Sequence, residues 1–477
     1  MQKIDFSAYE YDGFFDEMFG SNSEIRPGFN VLMQKMESMS SQRMLQLQYA
    51  SDRAQRSIGM TFNVYSDHQG TERILPLDLI PRIIPQEDWA HIEEGLRQRI
   101  YALNLFLNDI YGQQKILKDE IIPKDLVLNC PSYLEKCQNL DVPKDIWCHI
   151  VGTDLIRDEH GEFRVLEDNL RCPSGVSYML ENREILKRTF PDIFEKLKVR
   201  PVTDYAMHLR KTLAHLSDNP NPTIAVLTPG TYNSAYFEHS YLAQQMAVEL
   251  VEGRDLVVKG DHVFMRTTKG LEQVDVIYRR IDDDFLDPLH FRKDSMLGVP
   301  GIFDVYRKGN VALANAPGNG VADDKAVYAY VPDIIKYYLD EEIILKNVDT
   351  YLCSVDDQRK FVIDNIADLV VKKTDGSGGY GMLIGPKSTK EEQDEFVKKI
   401  KENPNGYIAQ PTISLSRVPT MVDGVPEGRH VDLRPYILYG EEIKIIPGAL
   451  TRVALKKGSL VVNSSQGGGS KDTWVLY

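Results

Sequence analysis

The sequence predicts an α+β fold with a helical N-terminal region, a small open α/β unit in the middle and an antiparallel sheet near the C-terminus. Helices are predicted where apolar residues recur at three- and four-residue spacing, over residues 1 to about 60 and 86–111. The order strand, helix, strand over residues 222–290 is typical of a small α/β sheet. Apolar and alternating segments in residues 407–463 predict the antiparallel strands.

The composition narrows the class of protein. Of the 477 residues, 42% are hydrophobic and 26% are charged, as in ordinary globular proteins. The net charge of −14 does not fit a basic nucleic-acid-binding surface. No apolar run is long enough to predict a transmembrane helix, and the acidic, aromatic N-terminus does not resemble a signal peptide. The five cysteines contain no C-x-x-C pair, so we expect a reduced, cytoplasmic protein without structural zinc.

A β-hairpin is predicted over residues 147–169, and it carries candidate metal ligands at its end. Glu167 and Asn169 are two residues apart, so on a strand their side chains lie on one face. A carboxylate and an amide oxygen side by side are hard ligands suited to Mg²⁺. Asp154 falls on the neighbouring strand at the same end, and it completes the candidate metal site.

The residues around this pair leave alternatives open and offer further donors. Asp158 and Asp168 are other carboxylates of the hairpin, and Asp168 should point to the opposite face. Arg171 and Ser174 follow in a tight turn that could hold a substrate carboxylate or a phosphate. Cys172, in the same turn, has no histidine near it in the sequence, which favours a structural thiol over a nucleophile.

A glycine-rich segment, TDGSGGYGM, matches the pattern G-x-G-x-x-G at Gly376, Gly378 and Gly381. The strand-like MLIG that follows argues against a dinucleotide fingerprint, which needs a helix there. No Lys-Ser/Thr follows, which excludes a Walker loop, and no HRD or DFG element supports a kinase. Two interpretations remain: a flexible turn without ligand, or a mobile hairpin over phosphates. Lys372, on the preceding strand, favours the second.

As a set, these motifs resemble the ATP-grasp ligases. The chain has Glu167 and Asn169 followed by Pro173-Ser174, then Lys372 before the glycine segment, and a late asparagine, Asn463, before three glycines. The pair Glu167 and Asn169 precedes the glycine segment by about two hundred residues, whereas ordinary ATP-grasp enzymes have the reverse order. This order is similar to that of the circularly permuted ATP-grasp group related to glutathionylspermidine synthetase.

The chain resembles the type 2 members of that group over roughly residues 15–477. The segments that carry the resemblance include ERILPLDLIPRII, EDNLRCPSGVSY, YRRIDDDFLDP, NAPGNGVADDKAVYAYVP, KKTDGSGGYGM, DLRPY and NSSQGGGSKDTW. It implies a circularly permuted ATP-grasp fold with a small Rossmann-like (pre-ATP-grasp) subdomain. We therefore divide the chain into a helical region at 1–115, a permuted ATP-grasp half with the metal-binding hairpin at 116–215, the Rossmann-like subdomain at 216–305, and the lid and C-terminal sheet at 306–477.

The resemblance also implies roles for individual residues. Asp154, Glu167 and Asn169 would bind Mg²⁺. The ATP-binding residues would be Lys325, Lys372, Gly378, Gly379, Tyr380, Gln410, Asn463 and Ser464, with Ser465 beside them. For Lys325 an ordinary surface lysine is the alternative. The residues that would hold the substrate carboxylate or the acyl-phosphate are Arg171, Ser174, Arg280 and Arg434.

The implied activity is that of a Mg-ATP-dependent ligase, which joins a small-molecule or peptide carboxylate to an amine through an acyl-phosphate. Two alternatives stay open, an ATP-dependent phosphotransferase and a non-catalytic ATP-binding protein that responds to nucleotide with a helical partner encoded nearby. One departure concerns the substrate. Gly152 stands two residues before Asp154, where glutathionylspermidine synthetase has an arginine, and no amidase domain is evident. Glutathione and spermidine are therefore not the expected substrates.

Overall fold

The computed structural model describes residues 3–10, 13–63, 72–376, 381–459, 462 and 468–477, which contain fifteen α-helices and twenty strands. The helices are α1 (Asn30–Ser38), α2 (Ser41–Ser57), α3 (Gln86–Tyr111), α4 (Lys115–Lys118), α5 (Lys124–Leu128), α6 (Val176–Thr189), α7 (Pro191–Lys196), α8 (Tyr205–Ala214), α9 (Tyr236–Met246), α10 (Asp283–Leu286), α11 (Ile302–Arg307), α12 (Lys325–Ala329), α13 (Val331–Leu339), α14 (Asp356–Asp364) and α15 (Lys390–Glu402).

The strands belong to five sheets of very different size. They are β1 (Thr61–Asn63), β2 (Glu72–Ile74), β3 (Leu77–Ile84), β4 (Ile150–Arg157), β5 (Phe163–Asn169), β6 (Ile224–Leu227), β7 (Glu249–Val251), β8 (Leu256–Lys259), β9 (His262–Thr267), β10 (Gly270–Gln273), β11 (Val276–Arg279), β12 (Ala312–Ala314), β13 (Tyr351–Leu352), β14 (Leu369–Lys373), β15 (Leu383–Ile384), β16 (Tyr407–Pro411), β17 (Arg417–Val422), β18 (Val425–Tyr439), β19 (Ile443–Val453) and β20 (Gly469–Val475).

The largest sheet has the order β3-β20-β19-β18-β4-β5, with β17 also paired to β18. Only β3 and β20 are parallel, so the beginning and the end of the chain meet inside one sheet. Apolar side chains of α3 pack on one face, against Val151, Leu155 and Leu433. Apolar side chains of α6 pack on the other face, against Ile150 and Leu450. This second face carries the candidate site at the β4, β5 edge.

Two four-stranded sheets accompany the large one. The sheet β12-β11-β6-β7 is wholly parallel, which confirms the Rossmann-like subdomain. The sheet β13-β16-β14-β15 is antiparallel and packs on α14 and α15 around a core that includes Val362, Val371 and Ile400. In it, β14 and β15 pair on either side of the glycine-rich segment, as the sequence predicts.

The helix prediction over residues 1 to about 60 is too broad, because helices there occupy only α1 and α2. The preceding described residues form turns and isolated bridges. Buried Asp16 accepts hydrogen bonds from the backbone N–H groups of Met18 and Phe19 and from the Tyr9 hydroxyl. Such side-chain bonds to nearby backbone compete with a helix. None of the helices in the described ranges has the length and apolarity needed to cross a membrane.

The division of the chain into four segments stays a prediction. Strands from the first, second and fourth predicted segments belong to the same large sheet, namely β3, β4 and β18. The strand YIAQP, expected with the C-terminal sheet, lies instead in the smaller antiparallel sheet as β16. Its neighbour there is β14, which carries Lys372.

Candidate functional site

The β4–β5 hairpin brings the predicted metal ligands to one edge of the large sheet. Asp154 on β4 lies opposite Glu167 on β5, and Gly152 lies opposite Asn169. Directly opposed residues share a face in an antiparallel pair, so Asp154, Glu167 and Asn169 meet at the same end. Asp168 points to the other face, as predicted, where Arg99 of α3 holds it through hydrogen bonds of 2.7–3.0 Å.

Glu167 faces a lysine that reaches it from a distant part of the chain. Lys325 is the first residue of α12, and the preceding Asp324 caps that helix by accepting from two backbone N–H groups. The Lys325 Nζ lies 3.3 Å from a carboxylate oxygen of Glu167 and donates to the carbonyl oxygen of Gly376 at 2.6 Å. Its backbone N–H donates to Thr374 O at 3.1 Å. Lys325 thus connects the candidate metal ligand to the beginning of the glycine-rich segment.

A second lysine lies on the strand that leads into that segment. Lys372 on β14 donates to Oε1 of Gln410 on β16 at 2.6 Å, and Gln410 Nε2 donates to Thr350 at 3.0 Å. Burial lowers the pKa of Lys372 to about 8; Glu167 acts in the opposite direction and Lys325 in the same direction. The charge of Lys372 is therefore close enough to the Glu167 carboxylate for the two to interact.

Asp154 is wholly buried and bound by two arginines. Arg434 donates from Nε and Nη2 to its two oxygens at 2.5 and 2.7 Å, and Arg452 donates from Nη2 at 2.6 Å. Arg452 also binds Asp432. Burial by itself raises a carboxyl pKa, but the two arginines hold the pKa of Asp154 well below its usual range. Asp154 is therefore ionised.

The tight turn after the hairpin is held by Arg280. Its two Nη atoms donate to Pro173 O, Tyr278 OH, the Ser174 hydroxyl and Glu238 at 2.6–3.0 Å. All four terminal N–H groups are thus engaged within the protein, which fits support of the turn. A contact between Arg280 and a substrate stays a prediction.

Arg434 and Arg171 keep N–H donors that have no partner among the described residues. Arg434 Nη1 donates to Ser174 O at 3.3 Å, in addition to its two bonds with Asp154. Arg171 donates from Nε to Asp323 at 2.7 Å, and a third of its side chain is exposed. Arg434 thus contacts the turn at Ser174, whereas Arg171 is held by Asp323. A shared role of Arg171, Ser174 and Arg434 stays a prediction.

The chemistry of the donor set fits a magnesium ion. Asn169 has a buried amide nitrogen without a hydrogen-bond partner among the described residues. Glu167 keeps 28% of its side chain exposed, and its described ion pair is the one with Lys325. Asp154 has less capacity to bind a metal ion, because three of its roughly four lone-pair positions already accept hydrogen bonds from arginine. Among the described residues, no group of three His, Cys, Asp or Glu side chains could hold a metal by itself.

Some predicted residues lie outside the described ranges. They are Gly378, Gly379, Tyr380, Asn463 and Ser464, together with Ser465.

The structure also brings in residues that the sequence analysis missed. Arg452 and Asp432 bind the Asp154 network, Asp323 binds Arg171, and Glu238 binds Arg280. One signal could have found the first two. Charged residues inside otherwise apolar strands, as in HVDLRPY and ALTRVAL, need a partner if they are buried.

The NAPGNG motif, residues 315–320, stabilises the hairpin through hydrogen bonds to its backbone. Asn315 accepts from the backbone N–H groups of His149 and Ile150 at 2.7 and 2.9 Å, and it donates to the carbonyl oxygens of Ile150 and Leu170. Asn319 donates to the same Leu170 oxygen at 2.6 Å. The two asparagines thus hold the end of β5 and the turn that follows it.

Comparisons with known proteins agree with this architecture. The chain is 56% identical over 473 residues to an uncharacterised protein of Synechocystis, with 98% of both chains covered. It is 50% identical to an uncharacterised protein of Mycobacterium tuberculosis, over 97% of this chain and 84% of the other. A protein of Frankia casuarinae named "Putative glutamate--cysteine ligase 2-2" is 39% identical over 97% of this chain, which spans 53% of that relative's length.

A solved structure shares the fold. The apo form of a glutathione synthetase-like effector from Globodera pallida superposes with a TM-score of 0.62 at 11% identity, and the match covers 92% of this chain and 98% of the other. The family model described as circularly permuted ATP-grasp type 2 matches residues 81–454, which include both strands of the metal-ligand hairpin, both lysines and the arginine network. The chain therefore belongs to the circularly permuted ATP-grasp type 2 family.

Proposed function

We propose that the protein is a Mg-ATP-dependent ligase that joins a carboxylate to an amine through an acyl-phosphate. The observation that carries the proposal is the meeting of Glu167, Asn169 and Lys325, with Lys372 within electrostatic reach, beside the free donors of Arg434. Hard oxygen ligands next to two lysines suit a metal-bound polyphosphate. An arginine beside them suits the carboxylate that accepts the phosphoryl group. Family membership and the ligase names among the relatives support the same class.

Glu167 and Asn169 would hold the magnesium ion, with the remaining lone pair of Asp154 as a third ligand. When bound, the ion neutralises phosphate charge. Lys325 and Lys372 would also neutralise phosphate charge, since the Lys325 ammonium group lies 3.3 Å from Glu167 and the charge of Lys372 interacts with that of Glu167. Because little covalent chemistry is required of the protein, positioning and charge neutralisation supply most of the rate.

The reaction would run in two steps. In the first, a carboxylate oxygen of the acid bonds to the γ-phosphorus, the bond from that phosphorus to the β,γ-bridging oxygen breaks, and ADP leaves. In the second, the amine nitrogen bonds to the acyl carbon, the carbon–oxygen bond breaks, phosphate leaves, and the amine proton passes to solvent. Arg434 would orient the acid, because it keeps N–H groups without a described partner next to Ser174. Arg171, a third of whose side chain is exposed, would assist it.

The acid is proposed to be an amino acid or a peptide. The support is the name of the Frankia relative, of which this chain covers about half. The cationic side chain of Arg434 beside the turn suits a carboxylate.

The test is ADP release in mixtures of ATP, Mg²⁺, amino acids or peptides, and amines. We expect release that requires both an acid and an amine, with a product whose mass is the sum of the two minus water. Release with an acceptor but no amine would identify a phosphotransferase instead. Nucleotide binding without any release, in the presence of a whole-cell metabolite extract, would identify a non-catalytic ATP-binding protein.

The lowered pKa of Lys372 predicts that ATP binding takes up protons near pH 8. Lys372 is cationic below its pKa of about 8 and neutral above it, and bound phosphate raises that pKa again. At pH 8 about half of the molecules therefore gain a proton on binding, so affinity falls as the pH rises from 7 to 9. Calorimetry in buffers of different ionisation enthalpy measures the uptake. A Lys372→Arg variant, which stays charged, should lose it; unchanged uptake in that variant would show that another group is responsible.

A further inference from the structure

Four charged side chains on three adjacent strands form a hydrogen-bonded series beside the candidate metal ligands, in the order Arg434, Asp154, Arg452 and Asp432. Asp432 and Arg434 lie on β18, Arg452 lies opposite Asp432 on β19, and Asp154 lies on β4. Arg452 Nε donates to both oxygens of Asp432 at 2.9 and 3.0 Å, while its Nη2 donates to Asp154 and to Asp432. Two arginines and two aspartates leave the network without net charge, so it compensates its own burial.

The burial of the four members is uneven. The side chains of Asp154 and Asp432 are 1% exposed and that of Arg452 is 8% exposed, whereas that of Arg434 is 14% exposed. Arg434 has five N–H groups, of which two bind Asp154 and one binds Ser174 O. One N–H on each Nη atom therefore has no partner in the part of the chain that the structure describes, and is open to a ligand. Arg434 is the member of the network that can meet a substrate.

The neighbouring Gly152 leaves room for the stem of Arg434. A Cβ atom at residue 152 would lie 3.5 Å from Cδ and 3.6 Å from Cγ of Arg434, and 3.1 Å from Cβ of Pro173. A larger side chain there would occupy the space through which Arg434 reaches the turn. The aliphatic part of the Arg434 side chain thus passes between Gly152 and Pro173, and Asp154 binds its guanidinium group.

We propose that Arg452 is a positioning residue that acts through Asp154 on Arg434. Because both carboxylate oxygens of Asp154 accept hydrogen bonds from arginine, Arg434 is held so that its two N–H groups without a described partner face the anion that reacts at this site. Asp432 fixes Arg452 in turn. This inference rests on the proposed function, and it assigns Asp154 mainly to the orientation of Arg434, with metal binding left chiefly to Glu167 and Asn169.

The first experiment compares Arg452→Lys, Arg434→Lys and the double variant. Lysine keeps the charge but not the planar fork, so the network should lose its geometry. We expect Arg452→Lys to lower kcat for amine-dependent ADP release about tenfold or more, while KM for ATP stays within about threefold. The double variant should be no worse than the more impaired single variant, because both act on one group. Multiplied effects in the double variant would overturn the proposal.

Metal binding provides a second readout that does not depend on turnover. Mn²⁺ affinity in the presence of ATP, measured by electron paramagnetic resonance, should change less than about threefold in Arg452→Lys. A loss of tenfold or more would show that Asp154 serves chiefly as a metal ligand, and would overturn the assignment.

A third readout separates this inference from the proposed function. In protein with ¹⁵N-labelled arginine, the Arg434 Nε–H resonance, assigned by its loss in Arg434→Lys, should exchange slowly with solvent in the native protein. It should exchange quickly or shift in Arg452→Lys and in Gly152→Leu. If no acid and amine ever give ADP release, the proposed function fails, but these resonances still decide whether Arg452 and Gly152 control Arg434. Unchanged Arg434 resonances in both variants would overturn the inference.

Discussion

Glu167→Gln is expected to reduce amine-dependent ADP release by about 10²–10³-fold, because it removes the carboxylate that is proposed to bind the metal and that lies 3.3 Å from the Lys325 Nζ. Glutamine keeps the shape and one oxygen of glutamate, so the β5 strand and its pairing with β4 should survive. The hard anionic ligand is lost, and the Lys325 ammonium loses its partner. The measurement is steady-state ADP release at saturating ATP, with Mn²⁺ binding in the presence of ATP measured alongside.

A matched control lies on the same hairpin. Glu162 precedes β5 and half of its side chain is exposed, so Glu162→Gln removes an equal charge far from the metal-ligand end. It should change turnover less than about twofold, since exposed ion pairs contribute little. If Glu167→Gln binds Mn²⁺ and ATP as the native protein does, the metal assignment is wrong. If turnover falls equally in both variants, the loss reflects the total charge of the protein rather than the Glu167 carboxylate.

The local part of the site could be predicted from the sequence. The two-residue spacing of Glu167 and Asn169 and the opposite direction of Asp168 follow from the period of a strand, and the structure has both. The hairpin around the glycine-rich segment follows from the apolar residues on either side, and β14 pairs with β15 as expected. These features depend on residues within about 20 positions of one another.

The non-local part could not be predicted in the same way. Arg452 and Asp154 are 298 positions apart, and their contact depends on the register of β18 against both β4 and β19. A change of one residue in that register would turn Arg434 to the other face of the sheet. Such a register is decided by packing over the whole sheet, which no short segment contains. The predicted hairpin supplied Asp154, the strand before the glycine segment supplied Lys372, and the resemblance to the family supplied Lys325. None of the three supplied the arginine that fixes Asp154.

The largest expected effect on stability comes from the buried ion pair between Arg99 and Asp168, on the face of the sheet opposite the candidate site. Arg99→Met should lower the free energy of unfolding by about 3–5 kcal/mol, because it leaves a buried carboxylate without its partner. Both side chains of the pair are 1% exposed, and Arg99 donates to both oxygens of Asp168 and also to Asn347. Urea unfolding followed by circular dichroism measures the change. Arg188→Met, at a side chain that is 81% exposed, is the control and should shift the midpoint little.

A double-mutant cycle shows whether the loss of stability comes from the interaction between Arg99 and Asp168. Asp168→Leu alone should also destabilise the protein, since it leaves the Arg99 guanidinium buried without a carboxylate. The double variant, Arg99→Met with Asp168→Leu, should recover a part of the loss, because no buried charge remains. Since Asp168 stands between Glu167 and Asn169, each single variant should also weaken Mn²⁺ binding in the presence of ATP. Additive losses in the cycle would show that the pair is not coupled, and full Mn²⁺ affinity in Arg99→Met would show that Asp168 does not support the metal ligands beside it.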